Sequence, residues 1–207
     1  MDARLKDRIA IITGASSGLG RATALLFARH GARIICADIQ PADTLIAEIT
    51  RTHGPGAATH IHCDVTSETS IQNLITDAVA WGGANRLDIL CNYAGVGLEG
   101  KYGMACRAHE FETADWDLEM GINARGVWLC CKYALRQMLE QEARQPNSRG
   151  ERTRGWIVNA ASMLGTVAHQ GLPAYVPSKF AVVGMTKQMA LDYAEVSGGT
   201  VGERSCC

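Results

Sequence analysis

Short apolar runs rich in β-branched residues alternate with longer amphipathic stretches along most of this 207-residue chain. Ile9–Thr13, Arg33–Ala37, Thr59–Cys63, Leu87–Cys91 and Gly155–Asn159 read as strands. Helical spacing marks Leu19–His30, Pro41–Arg51, a stretch ending at Trp81, Asp115–Glu142 and Ala174–Glu195. The boundaries suit helix-end chemistry: Gly31 is a stop, Pro41 sits in a first turn, and Thr66–Ser70 offers N-cap hydroxyls. Strands joined through helices close as a parallel sheet with right-handed crossovers. The pattern therefore predicts a doubly wound α/β fold with helices on both faces.

The length fits one domain with a real core. A net charge of −1 gives no global reason to expect nucleic acid or a membrane surface as partner. No apolar run approaches the roughly 20 residues of a spanning helix. Met1–Arg8 runs straight into the first strand without the apolar segment of a signal peptide, so a cytoplasmic location is expected. The eight cysteines form no C-x-x-C pair and read as reduced, mostly buried thiols. No ligand set with zinc spacing is evident, and no metal is expected. His60 and His62 share one strand face without an evident partner ligand. The loop from Arg144 to Arg154 carries four arginines and reads as a solvated connection, with phosphate binding as the other reading.

Thr13-Gly14-Ala15-Ser16-Ser17-Gly18-Leu19-Gly20 stands where the first strand feeds the first helix. Small residues there let backbone approach a pyrophosphate, and the helix N-terminus offers free amides and partial positive charge. A tight strand-to-helix turn would also use glycines. The Lys-Ser/Thr of a P-loop is missing, which disfavours a nucleoside triphosphatase. Asp38 ends the second strand, where a carboxylate would bond an unmodified adenosine ribose and repel a 2′-phosphate. Neither Ser17 nor Ile39 offers an opposing cation, so NAD is favoured over NADP; Asp38 as a simple turn residue is the alternative. These features fit the Rossmann type of sheet, for which a strand order of 3-2-1-4-5 is expected.

Tyr175 and Lys179 stand four apart, on one face of a helix, with Ser162 upstream. A free Tyr loses its proton only near a pKa of about 10. An ammonium beside it favours the phenolate. A Ser hydroxyl aimed at the same point would hold a substrate oxygen. Together the three suggest proton transfer at an alcohol or carbonyl. Pro177, if it lies in the first helical turn, removes an amide that would be unpaired anyway.

On these residues the chain resembles the short-chain dehydrogenase/reductase family over about residues 5 to 195. The motifs carrying the resemblance are Thr13–Gly20, Cys63-Asp64-Val65, Asn92-Tyr93-Ala94-Gly95, Asn123, Ser162 and Tyr175-x-x-x-Lys179. The resemblance implies a dinucleotide-binding domain in which Gly14, Ser16, Ser17, Gly18, Leu19 and Gly20 hold the pyrophosphate end. Asp64 would bond the adenine amino group, with Val65 beside it. Asn92, Ala94 and Gly95 would line the ribose side. Arg125 would lie near the cofactor or at a solvated helix position. Asn123 would hold a water linking Lys179 to solvent. Ser162 would orient the substrate oxygen, Tyr175 would be the acid/base, and Lys179 would also bind the nicotinamide ribose. The implied activity is NAD(P)-dependent hydride transfer between a secondary alcohol and a ketone, both small molecules. A homodimer through the helices carrying Asn123 and Tyr175 is also implied. Tyr93 replaces the family's usual second Asn, which commonly braces neighbouring strands. Tyr102, Met104 and Phe111 would rim the substrate pocket or pack on the surface. The strand from Trp156 to Ser162, after a long Arg-rich loop, resembles fungal members, some of which act in secondary metabolism.

Past residue 195 the resemblance stops. Residues 196–207 show no strand run and read as a frayed, non-family tail, so the usual sixth and seventh strands are expected to be missing. The fifth strand would then be an exposed edge, and the pocket would lack a wall and a lid. Val196-Ser197 is what a read-through splice donor would encode. A catalytically inactive nucleotide-binding remnant and a mis-predicted gene product are therefore the alternative readings.

Overall fold

Ile9–Thr13 (β1) is buried at all five positions and lies inside a parallel sheet, as a continuous apolar run demands. The structure is a computed structural model and describes residues 3–83, 85–103, 105–145, 152–194 and 200–206. The other strands are Arg33–Asp38 (β2), Ala58–His62 (β3), Ile89–Asn92 (β4), Thr153–Ala160 (β5) and Thr200–Cys206 (β6). They lie side by side in the order β3-β2-β1-β4-β5-β6. The helices are Gly18–Arg29 (α1), Asp43–His53 (α2), Glu68–Gly82 (α3), Thr113–Met120 (α4), Val127–Glu140 (α5) and Tyr175–Asp192 (α6).

Alternation along β1 builds two cores. Ile9 and Ile11 face α3, α5 and α6 through Ile71, Leu74, Leu129, Ala134 and Val182. Ala10 and Ile12 face α1 and α2 through Ala24, Ala28, Leu45 and Ile49. Helices therefore cover both faces, and strand order 3-2-1-4-5 holds over the first five strands.

Three expectations need correction. The tail was expected to lack a strand, but β6 pairs with β5 from Thr153↔Thr200 to Ala160↔Cys206. An edge strand presents a full row of unpaired N–H and C=O groups, and these recruit backbone whatever side chains it carries. The fifth strand is thus no edge. The predicted long helix Asp115–Glu142 is interrupted by a π-helical segment, Gly121–Gly126, and ends at Glu140. Asn123, in that segment, is fully buried and its side chain holds the Val96 backbone at both N–H and C=O. Such single-turn bulges are frequent at functional sites. Finally, Arg144 in the arginine loop is not merely solvated. Its Nε and Nη2 lie 2.6 Å from the two carboxylate oxygens of Asp88, which is 1% exposed. Residues 146–151 of that loop lie outside the described residues.

The cysteines match the expectation of reduced, buried thiols: Cys36, Cys63, Cys91, Cys106, Cys130 and Cys131 are free and buried. Burial pushes the Cys36 thiol up to about 12 and Cys63 to about 11, so both stay protonated. The His60 ring bonds the Asp38 backbone oxygen at 3.2 Å, a structural role.

Candidate active site

A cleft of about 340 Å³ opens at the carboxyl ends of β1, β2 and β4. Gly14, Ser17, Gly18, Leu19, Gly20, Asp38, Asp64, Val65, Ala94 and Gly95 all line it. Gly14 has φ +65°, and a Cβ there would sit 2.8 Å from the Ala94 backbone nitrogen. A Cβ on Gly20 would come within 2.2 Å of the Gly14 carbonyl oxygen. Only glycine lets these backbones touch. The N-terminus of α1 opens into the cleft: Ser17 makes no side-chain cap, and the first turn holds no acidic residue. Elsewhere Ser67 does cap α3, through the Ser70 amide. An uncapped, acid-free helix end facing a glycine-walled cleft suits an anionic pyrophosphate.

Asp38 receives the Ser16 and Gln40 amides, each at 2.9 Å, while still lining the cleft. It therefore serves as a turn residue as well, and a carboxylate has further lone pairs to offer. Ser16 itself is turned away: its hydroxyl donates to the Gln40 carbonyl at 3.0 Å, so it ties two loops together. Asp64 uses Oδ1 to accept from the Thr66 amide and hydroxyl. Two residues expected at the cofactor make side-chain bonds within the protein. Asn92 is 2% exposed and donates to Asn159 Oδ1 at 2.8 Å. Asn159 in turn reaches Thr186 on α6, so this chain braces β4, β5 and α6. Arg125 is exposed and donates to the Thr66 carbonyl at 2.9 Å. Tyr93 costs the loop no backbone anchor, because Thr13 Oγ1 accepts both the Tyr93 and Ala94 amides at 3.1 Å.

Beyond Gly95, which lines the cleft, the structure brings Asn123, Tyr175 and Lys179 together, with the turn after Ser162 packed on the same helix. The helix α6 begins at Tyr175, so Pro177 falls in the first turn, where its missing amide costs nothing. Lys179 is 6% exposed, and its ammonium donates to the Ala160 carbonyl at 3.0 Å. The same ammonium stands 5.3 Å from the centroid of the Tyr175 ring. Burial lowers the Lys179 pKa, while Glu119 pulls it up. Ser162 lies two residues past the end of β5 and opens a short turn pressed onto α6; a Cβ on Gly165 there would lie 2.8 Å from the Lys179 carbonyl oxygen. Ser162 Oγ accepts the Leu164 amide at 3.1 Å, which leaves its own hydrogen to donate. Gly95 lies between the parts: a Cβ there would be 3.2 Å from Asn123 Oδ1 and 3.8 Å from Lys179 Nζ. The Asn123 amide is committed to Val96 and, at 3.3 Å, to Ser178 Oγ, a positioning role.

Two residues escaped the sequence reading. Glu99 Oε1 accepts the Ala174 and Tyr175 amides at 3.1 and 2.7 Å, and Glu119 Oε2 accepts the Leu98 amide at 2.9 Å. They are 3% and 0% exposed. Glu99, between glycines, reads as an ordinary turn residue. A signal existed for Glu119: it stands four before Asn123 and eight before Val127, on the buried helix face. The Tyr102 and Phe111 rings lie 4.8 Å apart, tilted by 47°, and pack with Cys106 and Ala174, which is the packing reading of those aromatics. Met104 lies outside the described residues. Among the described residues there is no metal-binding cluster, and no described helix is long and apolar enough to cross a membrane.

Fold and site together define a Rossmann-type α/β protein with Ser162, Tyr175 and Lys179 beyond a glycine-walled cleft at the carboxyl ends of its strands. A family model described as short chain dehydrogenase matches residues 8–197. Secoisolariciresinol dehydrogenase of Forsythia intermedia is 35% identical over 192 residues, covering 93% of this chain and 62% of that protein. D-threitol dehydrogenase of Mycolicibacterium smegmatis is 37% identical over 194 residues, covering 93% of this chain and 66% of that protein. The crystal structure of levodione reductase superposes with a TM-score of 0.77 at 30% identity, covering 91% of this chain and 67% of that one. The chain belongs to the short-chain dehydrogenase family. It spans slightly under two thirds of the length of these curated relatives.

Proposed function

We propose that this protein is an NAD-dependent oxidoreductase interconverting a secondary alcohol and a ketone, with Tyr175 as acid/base. The observation that carries this reading is the Lys179 ammonium, held by the Ala160 carbonyl 5.3 Å from the Tyr175 ring, with the Ser162 turn packed on the same helix. A nicotinamide dinucleotide bound in the cleft would supply the hydride acceptor or donor. Ser162 would donate its free hydrogen to the substrate oxygen, orienting it toward Tyr175. Tyr175 would take the alcohol proton in oxidation and return it in reduction. Lys179 would hold positive charge beside the phenol oxygen throughout. Gly14, Gly18, Leu19 and Gly20 would hold the pyrophosphate, Asp38 the adenosine ribose, and Asp64 with Val65 the adenine. Asp38 beside Ile39 supports NAD over NADP, since no Lys or Arg lines the described cleft. Trp128, Phe180 and Leu191 stand exposed on α5 and α6 and support a homodimer through those helices.

The test is NADH formation by the purified protein with a panel of secondary alcohols. Tyr175→Phe is expected to lower turnover at least about a hundredfold while NAD binding persists. Asp38→Asn is expected to weaken NAD roughly tenfold and narrow its advantage over NADP. NAD binding with no turnover, and Tyr175→Phe indistinguishable from the parent, would leave an inactive nucleotide-binding module instead.

A further inference from the structure

The helix carrying Tyr175 has no cap of its own. Ala174 makes no side-chain cap, and no acidic residue lies in the first turn of α6. A remote side chain fills the role: both the Ala174 and Tyr175 amides donate to one oxygen of Glu99. Glu99 sits in the loop that follows β4, far away in sequence. Behind it lies Glu119, fully buried on α4 just before the π-helical segment. Glu119 anchors the same loop through the Leu98 amide, but its Oε1 finds no partner among hydrogen-bond donors. Glu119 thus holds the amide of the residue before Glu99, which puts two buried carboxyl groups on one short stretch of loop; with both ionised they would repel strongly, whereas one proton shared between them would satisfy the orphaned oxygen.

We propose that Glu99 and Glu119 form a one-proton carboxyl pair that clamps the N-terminal turn of α6 and so positions Tyr175, and that loss of the Glu119 proton loosens the clamp. The proposal rests on the acid/base reading of Tyr175 for its catalytic meaning, but the clamp itself needs no turnover. Both residues are positioning residues, acting through backbone amides. The chemistry is consistent: burial first, then the adjacent Glu99, raise Glu119 to about 7, against the Leu98 amide and Lys179, which favour its ionised form. The groups facing the pair are Lys179 on α6 and Cys106, whose buried thiol is pushed up by burial, Glu110 and Glu99. Once Glu119 ionises, Glu99 meets a second negative charge, and its grip on the Ala174 and Tyr175 amides weakens. A rise through about pH 7 would then couple to the geometry of Tyr175.

Amide hydrogen exchange of the whole protein tests this without cofactor or substrate, with the Leu90 amide in β4 as the reference for global opening. In the parent, protection of the Tyr175 amide relative to Leu90 is expected to fall about tenfold between pH 6 and 8. Glu119→Gln, which keeps a donor toward Glu99, is expected to hold the low-pH protection across that range. Glu119→Val is expected to lose it at every pH; should that variant not fold, the comparison of Glu119→Gln with the parent decides alone. Activity adds a second readout: kcat/KM should lose its inflection near pH 7 in Glu119→Gln. A fall in protection that persists in Glu119→Gln, or a Tyr175 amide equally protected at all pH values in the parent, overturns the clamp. Absence of turnover in every variant, with the exchange pattern intact, would count against the oxidoreductase reading only.

Discussion

Asp88 keeps a full carboxylate almost out of water because four partners surround it. Arg144 grips both oxygens, Arg86 and Arg8 reach Oδ1, and the Ile9 amide reaches Oδ2. Burial would raise its pKa, but the Arg144 bonds, the Ile9 amide and Arg86 outweigh that and hold it below its ordinary value. Removing one partner of a buried pair leaves an under-compensated charge. Arg144→Ala is therefore expected to destabilise by about 2–4 kcal/mol in urea titrations, the surviving arginines limiting the loss. Arg144→Lys should recover little of it, because a point charge cannot grip two oxygens in parallel. Nothing in the local sequence of a polar, arginine-rich loop distinguishes Arg144 from its neighbours. The bond to Asp88 joins residues 56 apart, and only the closed sheet brings them together. Asp38 was legible for the opposite reason: its place at a strand end, one helix after a glycine turn, is local in sequence.

Among the elements, the break between α4 and α5 has the largest effect on the site. The extra residue of the π-helical segment turns Asn123 inward, where its amide pairs with Val96 on the cleft wall. Asn123→Ala would leave the half-buried Val96 N–H and C=O without that partner. The expected cost is about 2 kcal/mol in thermal or urea melts, with weaker dinucleotide binding because Val96 lines the cleft. Asn123→Asp should keep the Val96 amide bond but lose the carbonyl one, and fall in between. The spacing of apolar residues predicted one long helix here, and it was right about the face and wrong about the phase. A bulge shifts the phase by a single residue. That shift is selected by partners on another loop, which periodicity does not contain.

For the whole molecule, Asp88 and Glu119 act on stability with opposite signs. The folded pKa of Asp88 lies below its ordinary 3.8, so its contribution is present above that pH and is lost as pH falls through the depressed folded value. Glu119 is raised from 4.5 to about 7, so folding holds its proton and its contribution fades as pH climbs across that interval. Melting temperature is therefore expected to be highest in mildly acidic buffer, falling steeply in strong acid and gently toward pH 7. In Glu119→Gln the gentle decline should flatten while the acid limb stays. The sheet makes a second prediction at this scale. Removing residues 200–207 would return β5 to the edge, and light scattering should then show association on concentration that the parent resists. The strand–helix alternation, the glycine turn and the Tyr-Lys spacing by themselves determined the order of the first five strands, the cleft at their carboxyl ends and the pairing of Tyr175 with Lys179, because each is written in contacts between near neighbours in sequence. The tertiary structure alone decided that the Asn92 and Arg125 side chains bond Asn159 and the Thr66 carbonyl, that the tail completes a sixth strand, and that the remote Glu99 caps the helix of Tyr175. Each of these depends on burial and on backbone groups left unpaired by distant segments, which become defined only when the chain closes on itself.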